Sequence, residues 1–332
     1  MPAIWPTDRN CSVTFMWNDI FLLIAGLSVL ITGGELLVRG ATSIALRLHI
    51  SPLVVGLTIV AFGTSAPELF VSIQSALAGS PDLTMGNVIG SNICNLALVL
   101  GITAVIAPVK VQADSIKIDW PMTMGSSTLL YLLVRENLIT SYEGILFISI
   151  LVAYTYFIIW KSRRETKRMR RLNSEFELPE VPSPFLWRDI FFISLGIVGL
   201  AFGSDWLVNG AQSIALQFGV PERTIGITIL AVGTSLPELV TSIVASFKKQ
   251  TDIAVGNLMG SNIFNVLSIL GITSLIQEIQ VSDVIINSDM IWMLLITFLI
   301  FPMMLHRKEI GRIEGFILLV IYFYYIYTVV SA

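Results

Sequence analysis

The chain contains two copies of one long stretch, and this duplication constrains the fold more than any other feature. Residues 56–103 align without a gap with residues 226–273, at an offset of 170 positions, and 24 of the 48 aligned positions are identical. The likeness extends upstream at the same offset, where LLVRGATSIAL is matched by WLVNGAQSIAL. Self-similarity of this kind predicts a fold built from two related halves.

The composition indicates whether this fold lies in water or in lipid. The chain is 55% hydrophobic and only 13% charged, with a mean hydropathy of +0.80, whereas about a quarter of the residues in soluble domains are charged. We therefore predict an all-α polytopic membrane protein that lies in a lipid bilayer. Its two cysteines and two histidines show no metal-ligand spacing. We expect no cofactor, no enzymatic activity, no nucleic-acid partner and no obligate protein partner.

A membrane-spanning helix needs about 20 mostly apolar residues, and cutting the sequence at proline, glycine and charge clusters predicts ten of them. Each half then holds five spans, and two related halves with an odd number of crossings must have opposite orientations in the membrane. Such inverted repeats are typical of secondary transporters, which bind their ions at the repeat interface. The predicted spans are 18–40, 51–79, 83–107, 116–134, 140–160, 187–212, 221–247, 252–277, 284–305 and 310–330.

The two predicted five-helix domains, 1–160 and 187–332, are joined by a linker at 161–186. This linker opens with KSRRETKRMRR, which holds seven basic residues. Because cytoplasmic loops collect Lys and Arg, we place the linker in the cytoplasm. Ten spans then put 17 of the 20 basic residues inside and both termini outside.

Polar residues form stripes along the helices of each copy. Thr64, Glu68 and Ser72 are four residues apart in the second span, so they share one helix face. Asn87, Ser91 and Asn95 show the same spacing in the third span. The second copy repeats both stripes at the following positions: Thr234, Glu238, Ser242, Asn257, Ser261 and Asn265.

A proline precedes each glutamate of these stripes. Pro67 and Pro237 have no N–H to donate to the preceding turn, and their rings clash with it, so each helix should break there. We therefore predict discontinuous core helices. The breaks are expected to release backbone carbonyls in the ranges 61–64 and 231–234, beside the two glutamates.

These donors are carboxylate, hydroxyl, amide and carbonyl oxygens, which suit hard cations such as Ca²⁺, Mg²⁺, Na⁺ or protons. Glu68 and Glu238 are the strongest candidates, because an intramembrane carboxylate is costly and marks a functional site. Their two negative charges match one Ca²⁺ or two Na⁺. Mg²⁺ ranks lower, since it demands tighter geometry. Hydroxyls and amides at helix contacts equally suit packing.

The paired motifs GTSAPEL with GNVIGSNICN, and GTSLPEL with GNLMGSNIFN, closely resemble the α-repeats of the cation/Ca²⁺ antiporter superfamily. Within it they resemble the sodium/calcium exchangers most. The resemblance implies a central site in which the two glutamates bind Ca²⁺ and take part in Na⁺ binding. Carried over position by position, the implied ligands are Glu68, Glu238, Thr64, Thr234, Ser65, Ser235, Ser91, Ser261, Asn95, Asn265 and the carbonyls of Ala61 and Ala231.

The resemblance implies a Na⁺/Ca²⁺ antiporter of prokaryotic type that normally extrudes Ca²⁺ by alternating access. Its expected location is the bacterial or archaeal cell (inner) membrane, and its expected substrates are Ca²⁺ and Na⁺. Asn265 stands where potassium-dependent relatives carry Asp, which argues against potassium co-transport. The alternatives are a Ca²⁺/H⁺ or other divalent cation antiporter and, with less support, a cation channel.

Overall fold

The computed structural model describes residues 9–172, 185–218 and 231–331. These residues are mainly helical, as predicted. The helices, numbered in chain order, are α1 (Arg9–Leu48), α2 (Pro52–Thr64), α3 (Ala66–Leu77), α4 (Pro81–Ile106), α5 (115–133), α6 (Ser141–Leu172), α7 (Leu186–Gln217), α8 (Ala231–Thr234), α9 (Leu236–Phe247), α10 (Thr251–Ile276), α11 (Ile285–Leu305) and α12 (Arg312–Ser331).

Two short antiparallel ladders join the halves of the chain. Strand β1 (Val109–Lys110) pairs with β4 (Glu309–Ile310), and β2 (Leu138–Ile139) pairs with β3 (Ile279–Gln280). β1 and β3 occupy equivalent positions in the two halves, and β2 and β4 are equivalent to within one residue. Each ladder therefore ties a loop of one half to the complementary loop of the other.

Within the described residues, seven helices are long and apolar enough to cross a membrane, and the pair α2–α3, bent by 45°, makes an eighth candidate. These eight coincide with eight of the predicted spans. The fourth predicted span is helix α5, which does not meet the same standard of length and hydropathy. The seventh lies partly outside the described residues, and its described part is the shorter apolar helix α9. The all-α class is confirmed, whereas ten crossings stay a prediction.

Helix α6 extends beyond the fifth predicted span, which ends at residue 160, and continues through the basic segment of the predicted linker to Leu172. No proline or glycine interrupts this stretch. Lys161 forms an ion pair at 3.5 Å with Glu165, which lies one helical turn further along the chain. Pairs spaced four residues apart favour helix. Residues 173–184 lie outside the described part of the chain.

Helices α1 and α7 pack antiparallel at very short range. A Cβ atom added at Gly33 would lie 2.9 Å from the backbone nitrogen of Leu200, so only glycine allows this approach. Small residues at a helix contact let the backbones come close together. Glycines at seven-residue intervals make equivalent contacts along both helices: Gly26, Gly33 and Gly40 on α1, and Gly196, Gly203 and Gly210 on α7.

Both ends of the α1–α7 pair are fastened by a buried aspartate. At one end, Asp19 Oδ2 accepts hydrogen bonds from Ser213 Oγ at 2.8 Å and Gln217 Nε2 at 2.7 Å. At the other end, Asp189 Oδ2 accepts from Arg47 Nε at 3.1 Å and Nη2 at 2.9 Å. The two aspartates are equivalent in the repeat, as are Arg47 and Gln217. Asp189 is therefore held by an ion pair, whereas Asp19 is held by neutral hydrogen-bond donors.

The centre of the bundle is formed by α4 and α10. Their apolar windows are 78% and 83% buried, against 22% for α6, α7 and α12. Helix α10 crosses α2 closely, since a Cβ atom at Gly256 would lie 2.5 Å from the carbonyl oxygen of Leu53, and one at Gly260 would lie 2.7 Å from Ala61 Cβ. This crossing brings a helix of the second half against the broken helix of the first.

Candidate cation site

Each repeat carries a helix break immediately before its glutamate, as the prolines predict. Between α2 and α3, Ser65 has φ −85° and ψ 5°. Ser235, between α8 and α9, has nearly the same backbone angles, φ −89° and ψ 6°. Both breaks therefore place the serine at the junction and the glutamate in the first turn of the helix that follows.

The predicted release of the Ala61 carbonyl is wrong. This oxygen accepts the regular helical hydrogen bond from Ser65 N at 3.0 Å, and Thr64 Oγ1 lies 3.3 Å from it. The helix keeps its regular bonding up to Ser65, because the proline at position 67 lacks only its own N–H. The carbonyl that loses a donor is that of Gly63, four residues before the proline.

The second repeat differs in its local bonding. Ala231 begins α8, and Ser235 N donates to the carbonyl of Val232 at 3.1 Å. The carbonyl that the proline of this repeat leaves without its usual donor is that of Gly233. It accepts a hydrogen bond from Ser204 Oγ of α7 at 2.6 Å. A side chain of the α1–α7 pair thus contacts the broken helix directly.

The two glutamates are completely buried, with 0% of each residue exposed. Glu238 Oε1 accepts hydrogen bonds from Ser65 Oγ at 3.1 Å and Ser261 Oγ at 3.5 Å. Its Oε2 atom and both carboxylate oxygens of Glu68 have no hydrogen-bond partner among the described residues. Three of four buried carboxylate oxygens are thus left without a protein donor in the described part of the chain.

Hydroxyl and amide oxygens from both halves meet beside Glu238. Thr64 Oγ1 donates to Asn257 Oδ1 at 3.1 Å and lies 3.5 Å from Ser261 Oγ. Asn257 Nδ2 donates in turn to Ser242 Oγ at 3.2 Å and to the carbonyl of Glu238 at 3.4 Å. The first repeat thus supplies a threonine to a cluster that the second repeat builds around its glutamate.

The asparagine that supports Glu238 has a counterpart in the first repeat. Asn87 Nδ2 donates to Ser72 Oγ at 2.9 Å and to the carbonyl of Glu68 at 3.1 Å. Asn87 and Asn257 therefore fasten the glutamate-bearing helices α3 and α9 to the central helices. Neither belongs to the predicted ligand set, although their place in the repeated stripes was a signal for them.

The predicted ligands Asn95 and Asn265 are both fully buried but have different surroundings. Asn265 Nδ2 donates to Asn92 Oδ1 across the repeats at 3.1 Å. Both amide atoms of Asn95 lack a hydrogen-bond partner among the described residues. Asn92 is a further central contact that sequence reasoning missed, because it lies off the predicted stripe.

The remaining predicted ligands lie on the same broken and central helices. Ser91 and Ser235 are buried, with 3% and 1% exposed, and Thr234 is half-buried. Ser235 Oγ has no hydrogen-bond partner in the described part of the chain. Hydroxyl and carboxylate contacts therefore join Thr64, Ser65, Glu238 and Ser261 into one cluster.

The chemistry of this centre suits a hard cation. Burying a carboxylate without a partner is costly unless a cation or a proton compensates it. Among the described residues, neither Glu68 nor Glu238 has a basic partner within ion-pair distance. No group of three or more acidic, histidine or cysteine side chains in those residues is placed to hold a metal. A bound cation would therefore rely on two carboxylates and on neutral oxygens.

Comparisons with known proteins agree with this chemistry. The family model described as sodium/calcium exchanger protein matches residues 18–160 and 189–331. CaxA of Alkalimonas amylolytica, whose name describes an antiporter, is 38% identical over 317 residues, which are 94% of this chain and 98% of CaxA. The sodium/calcium exchanger MaX1 of Methanosarcina acetivorans is 29% identical over 340 residues, covering 92% of this chain and 96% of MaX1.

A solved structure extends the likeness to three dimensions. The sodium-calcium exchanger NCX_Mj, soaked with Na⁺ and Sr²⁺, matches with a TM-score of 0.78 at 26% sequence identity. The match covers 93% of this chain and 97% of that protein. The two chains thus have the same fold over almost their whole length.

Proposed function

The chain belongs to the sodium/calcium exchanger family, and from this premise we propose that it exchanges Na⁺ for Ca²⁺ across the membrane by alternating access, normally extruding Ca²⁺. The observation that carries the proposal is the pair of fully buried glutamates, Glu68 and Glu238, which have no basic partner in the described part of the chain. Two negative charges are balanced by one Ca²⁺ or by two Na⁺. A centre that either ion can neutralise is suited to exchange.

The proposed ligands surround these charges with neutral oxygens. Ca²⁺ takes about 6 to 8 oxygens at roughly 2.3 to 2.6 Å in flexible geometry, and hydroxyl, amide and carbonyl groups supply what two carboxylates cannot. Support comes from the contacts that already join Thr64, Ser65 and Ser261 to Glu238. The full proposed set is Glu68, Glu238, Thr64, Thr234, Ser65, Ser235, Ser91, Ser261, Asn95, Asn265, Ala61 and Ala231.

Alternating access rests on the two halves having opposite orientations, each with five crossings. One support is the constant offset of 170 between the copies. The other is the symmetry of the two ladders: β1 pairs with β4, and their equivalents in the opposite halves, β3 and β2, pair with each other. The moving part in this mechanism is the α1–α7 pair. Its glycine contacts and its two fastened ends favour motion of the pair as one body over the core.

The proposed placement is in a bacterial or archaeal cell membrane, with both termini outside and residues 161–186 in the cytoplasm. The basic segment at the end of α6 supports it, since positive charge collects on the cytoplasmic side. The two halves, 1–160 and 187–332, act together on Ca²⁺ and Na⁺ as substrates. The ions are the cargo of the protein, and no cofactor takes part.

Flux in proteoliposomes tests the proposal. Vesicles loaded with ⁴⁵Ca²⁺ should release it when Na⁺ is added outside, and the release should saturate with Na⁺. Glu68→Gln and Glu238→Gln should abolish this flux, because each removes one of the two charges that the cation needs. Glu136→Gln, an exposed acid with the same charge change, is the matched control and should transport normally. Normal flux in both buried variants would sink the assignment of the site.

The same vesicles separate the alternatives. Release that requires a pH jump and ignores Na⁺ would identify a Ca²⁺/H⁺ antiporter. Release that needs no counter-ion and does not saturate would identify a channel. Strict dependence on external Na⁺ excludes both.

A further inference from the structure

A small cavity lined by both polar and apolar side chains lies at the end of the bundle where α2 begins. It has a volume of about 20 Å³ and is enclosed by the start of α2, the first turns of α5 and the basic end of α6. Ser51 and Thr64 stand at opposite ends of α2, about 20 Å apart at 1.5 Å per residue. The cavity is therefore separate from the two-glutamate centre.

The size and lining of the cavity suit one small ion. A cavity needs about 10 to 15 Å³ to hold one water molecule, so this one has room for a single water or a cation of similar size. Its polar lining consists of three carboxylates, one ammonium group and two hydroxyls: Asp114, Asp119, Glu165, Lys161, Ser51 and Ser162. The carboxylate and hydroxyl oxygens among these groups are ligands of the kind that hard cations prefer.

Asp119 is the buried charge of this cavity, with 2% of the residue exposed. Its Oδ1 atom accepts a hydrogen bond from the hydroxyl of Tyr154 at 3.0 Å. The Oδ2 atom is buried and has no hydrogen-bond partner among the described residues. No basic group of those residues lies within ion-pair distance of it. Asp119 thus lines the cavity with one carboxylate oxygen that has no hydrogen-bond partner in the described part of the chain.

The lysine that lines the cavity is already engaged. Lys161 Nζ lies 2.6 Å from Asp114 Oδ2 and 3.5 Å from Glu165 Oε1. These two acids are partly exposed, whereas Asp119 is not. Lys161 balances only one of these two solvent-accessible acids, and the buried charge of the cavity that has no basic partner among the described residues is that of Asp119, which one Na⁺ would balance.

The equivalent position in the second half differs from this cavity. Asp289 is the repeat equivalent of Asp119, and it also accepts a hydrogen bond from a tyrosine, Tyr325, at 3.3 Å. However, Asp289 is only half-buried, and the position equivalent to Asp114 holds Val284. At this position the second half therefore has an apolar side chain in place of a carboxylate.

We propose that this cavity binds one Na⁺ ion at a site separate from the transport centre, with Asp119 as its charged ligand. Ser51 and Ser162 supply neutral oxygens from the two neighbouring helices, which are already linked by a hydrogen bond from Ser51 N to Ser162 Oγ at 2.7 Å. The ion would join the start of α2 to α5 and α6. Helix α2 carries Thr64 at its other end, so the ion would fix the position of a helix that reaches the centre.

Binding of ²²Na⁺ to the purified full-length protein tests this site independently of transport. The background is the double variant E68Q/E238Q, in which the transport centre has lost both charges. Saturable ²²Na⁺ binding should persist in this background and should be lost when Asp119→Asn is added. Adding Asp289→Asn, the matched change in the other half, should leave the binding unchanged.

Two results would overturn the site: no saturable ²²Na⁺ binding in the E68Q/E238Q background, or binding that Asp119→Asn leaves intact. If Asp119→Asn is not monodisperse, Asp114→Asn takes its place. It removes a carboxylate from the lining and frees the charge of Lys161, so the apparent ²²Na⁺ affinity should fall several-fold; an unchanged affinity rejects the site. Because both central glutamates are absent from these proteins, the result does not depend on the proposed transport function.

Discussion

Replacing Glu68 by glutamine should make the cation-free protein more stable and, at the same time, remove its stabilisation by Ca²⁺. The substitution keeps the size and shape of the side chain and removes its charge. Glu68 is 0% exposed, and both carboxylate oxygens lack hydrogen-bond partners among the described residues. Loss of a packing contact therefore plays little part in the expected effect.

The expected magnitude follows from what each side chain costs when it is buried alone. The effective penalty for an unpaired buried ion is several kcal/mol, whereas an unsatisfied neutral polar group costs about 1 to 3 kcal/mol. The glutamine protein should accordingly be about 2 kcal/mol more stable without cations. Ca²⁺ at 100 times its dissociation constant should stabilise the unchanged protein by about 2.7 kcal/mol. The same Ca²⁺ should do little for the variant.

Thermal unfolding in detergent at pH 8 measures both effects. The protein is heated in choline buffer free of Na⁺ and Ca²⁺, and then again with Ca²⁺ added, while tryptophan fluorescence is followed. Glu136→Gln is the control, because it removes a negative charge at an exposed position. It should reproduce the unchanged protein under both conditions.

A lower melting temperature for Glu68→Gln without cations, together with an undiminished response to Ca²⁺, would refute this reasoning. Glu68 would then be a structural residue whose partners lie outside the described part of the chain. A gain in stability accompanied by a full Ca²⁺ response would show that the buried charge of Glu68 is costly but is not needed for Ca²⁺ binding. It would remove Glu68 from the ligand set.

Two further substitutions test the α1–α7 pair by thermal unfolding. Arg47→Ala should destabilise the protein by about 3 to 5 kcal/mol, because it leaves the buried carboxylate of Asp189 without its charged donor. Arg47→Gln keeps a neutral donor and should lose less stability. Equal losses in the two variants would contradict the role of the hydrogen bond. Gly33→Ala puts a Cβ atom 2.9 Å from a backbone nitrogen of α7, whereas in Gly199→Ala the nearest atom is 3.3 Å away. Both changes gain about 1 kcal/mol of helix propensity. Gly33→Ala should nevertheless be less stable than Gly199→Ala by about 1 to 3 kcal/mol, which is the cost of overpacking. Equal stabilities of the two variants would show that the helices separate at little cost.

Local features of the fold could be predicted from the sequence because each depends on nearby residues. Pro67 removes one donor whatever its tertiary surroundings, so the helix break was predictable. Glu68 lies in an apolar stretch that leaves it no route to water, so its burial was predictable as well. The end of α6 was not, because a basic segment that is polar enough for a linker also satisfies every local requirement of a helix.

Contacts between the halves could not be predicted, because they depend on how two broken helices cross. The bonds from Thr64 to Asn257 and from Ser65 to Glu238 join residues that are 193 and 173 positions apart. Their existence depends on the close crossing of α2 and α10, which in turn depends on glycines such as Gly256. Repetition indicated which residues matter, and the crossing decides which of them meet.

The two copies of the motif have the same serine, proline and glutamate at the break and yet different bonding. Ser65 Oγ donates to Glu238 Oε1 at 3.1 Å, whereas Ser235 Oγ and both oxygens of Glu68 have no hydrogen-bond partner among the described residues. The serine, the proline and the glutamate are identical in both copies, which differ at the break only by Ala66 in place of Leu236, so these three residues do not by themselves cause the difference. Two inverted halves that open to one side at a time must differ in conformation, and exchanging their conformations yields the state open to the other side. Under the proposed mechanism, the unequal bonding of Glu68 and Glu238 is therefore a property of one state of the cycle rather than of either repeat.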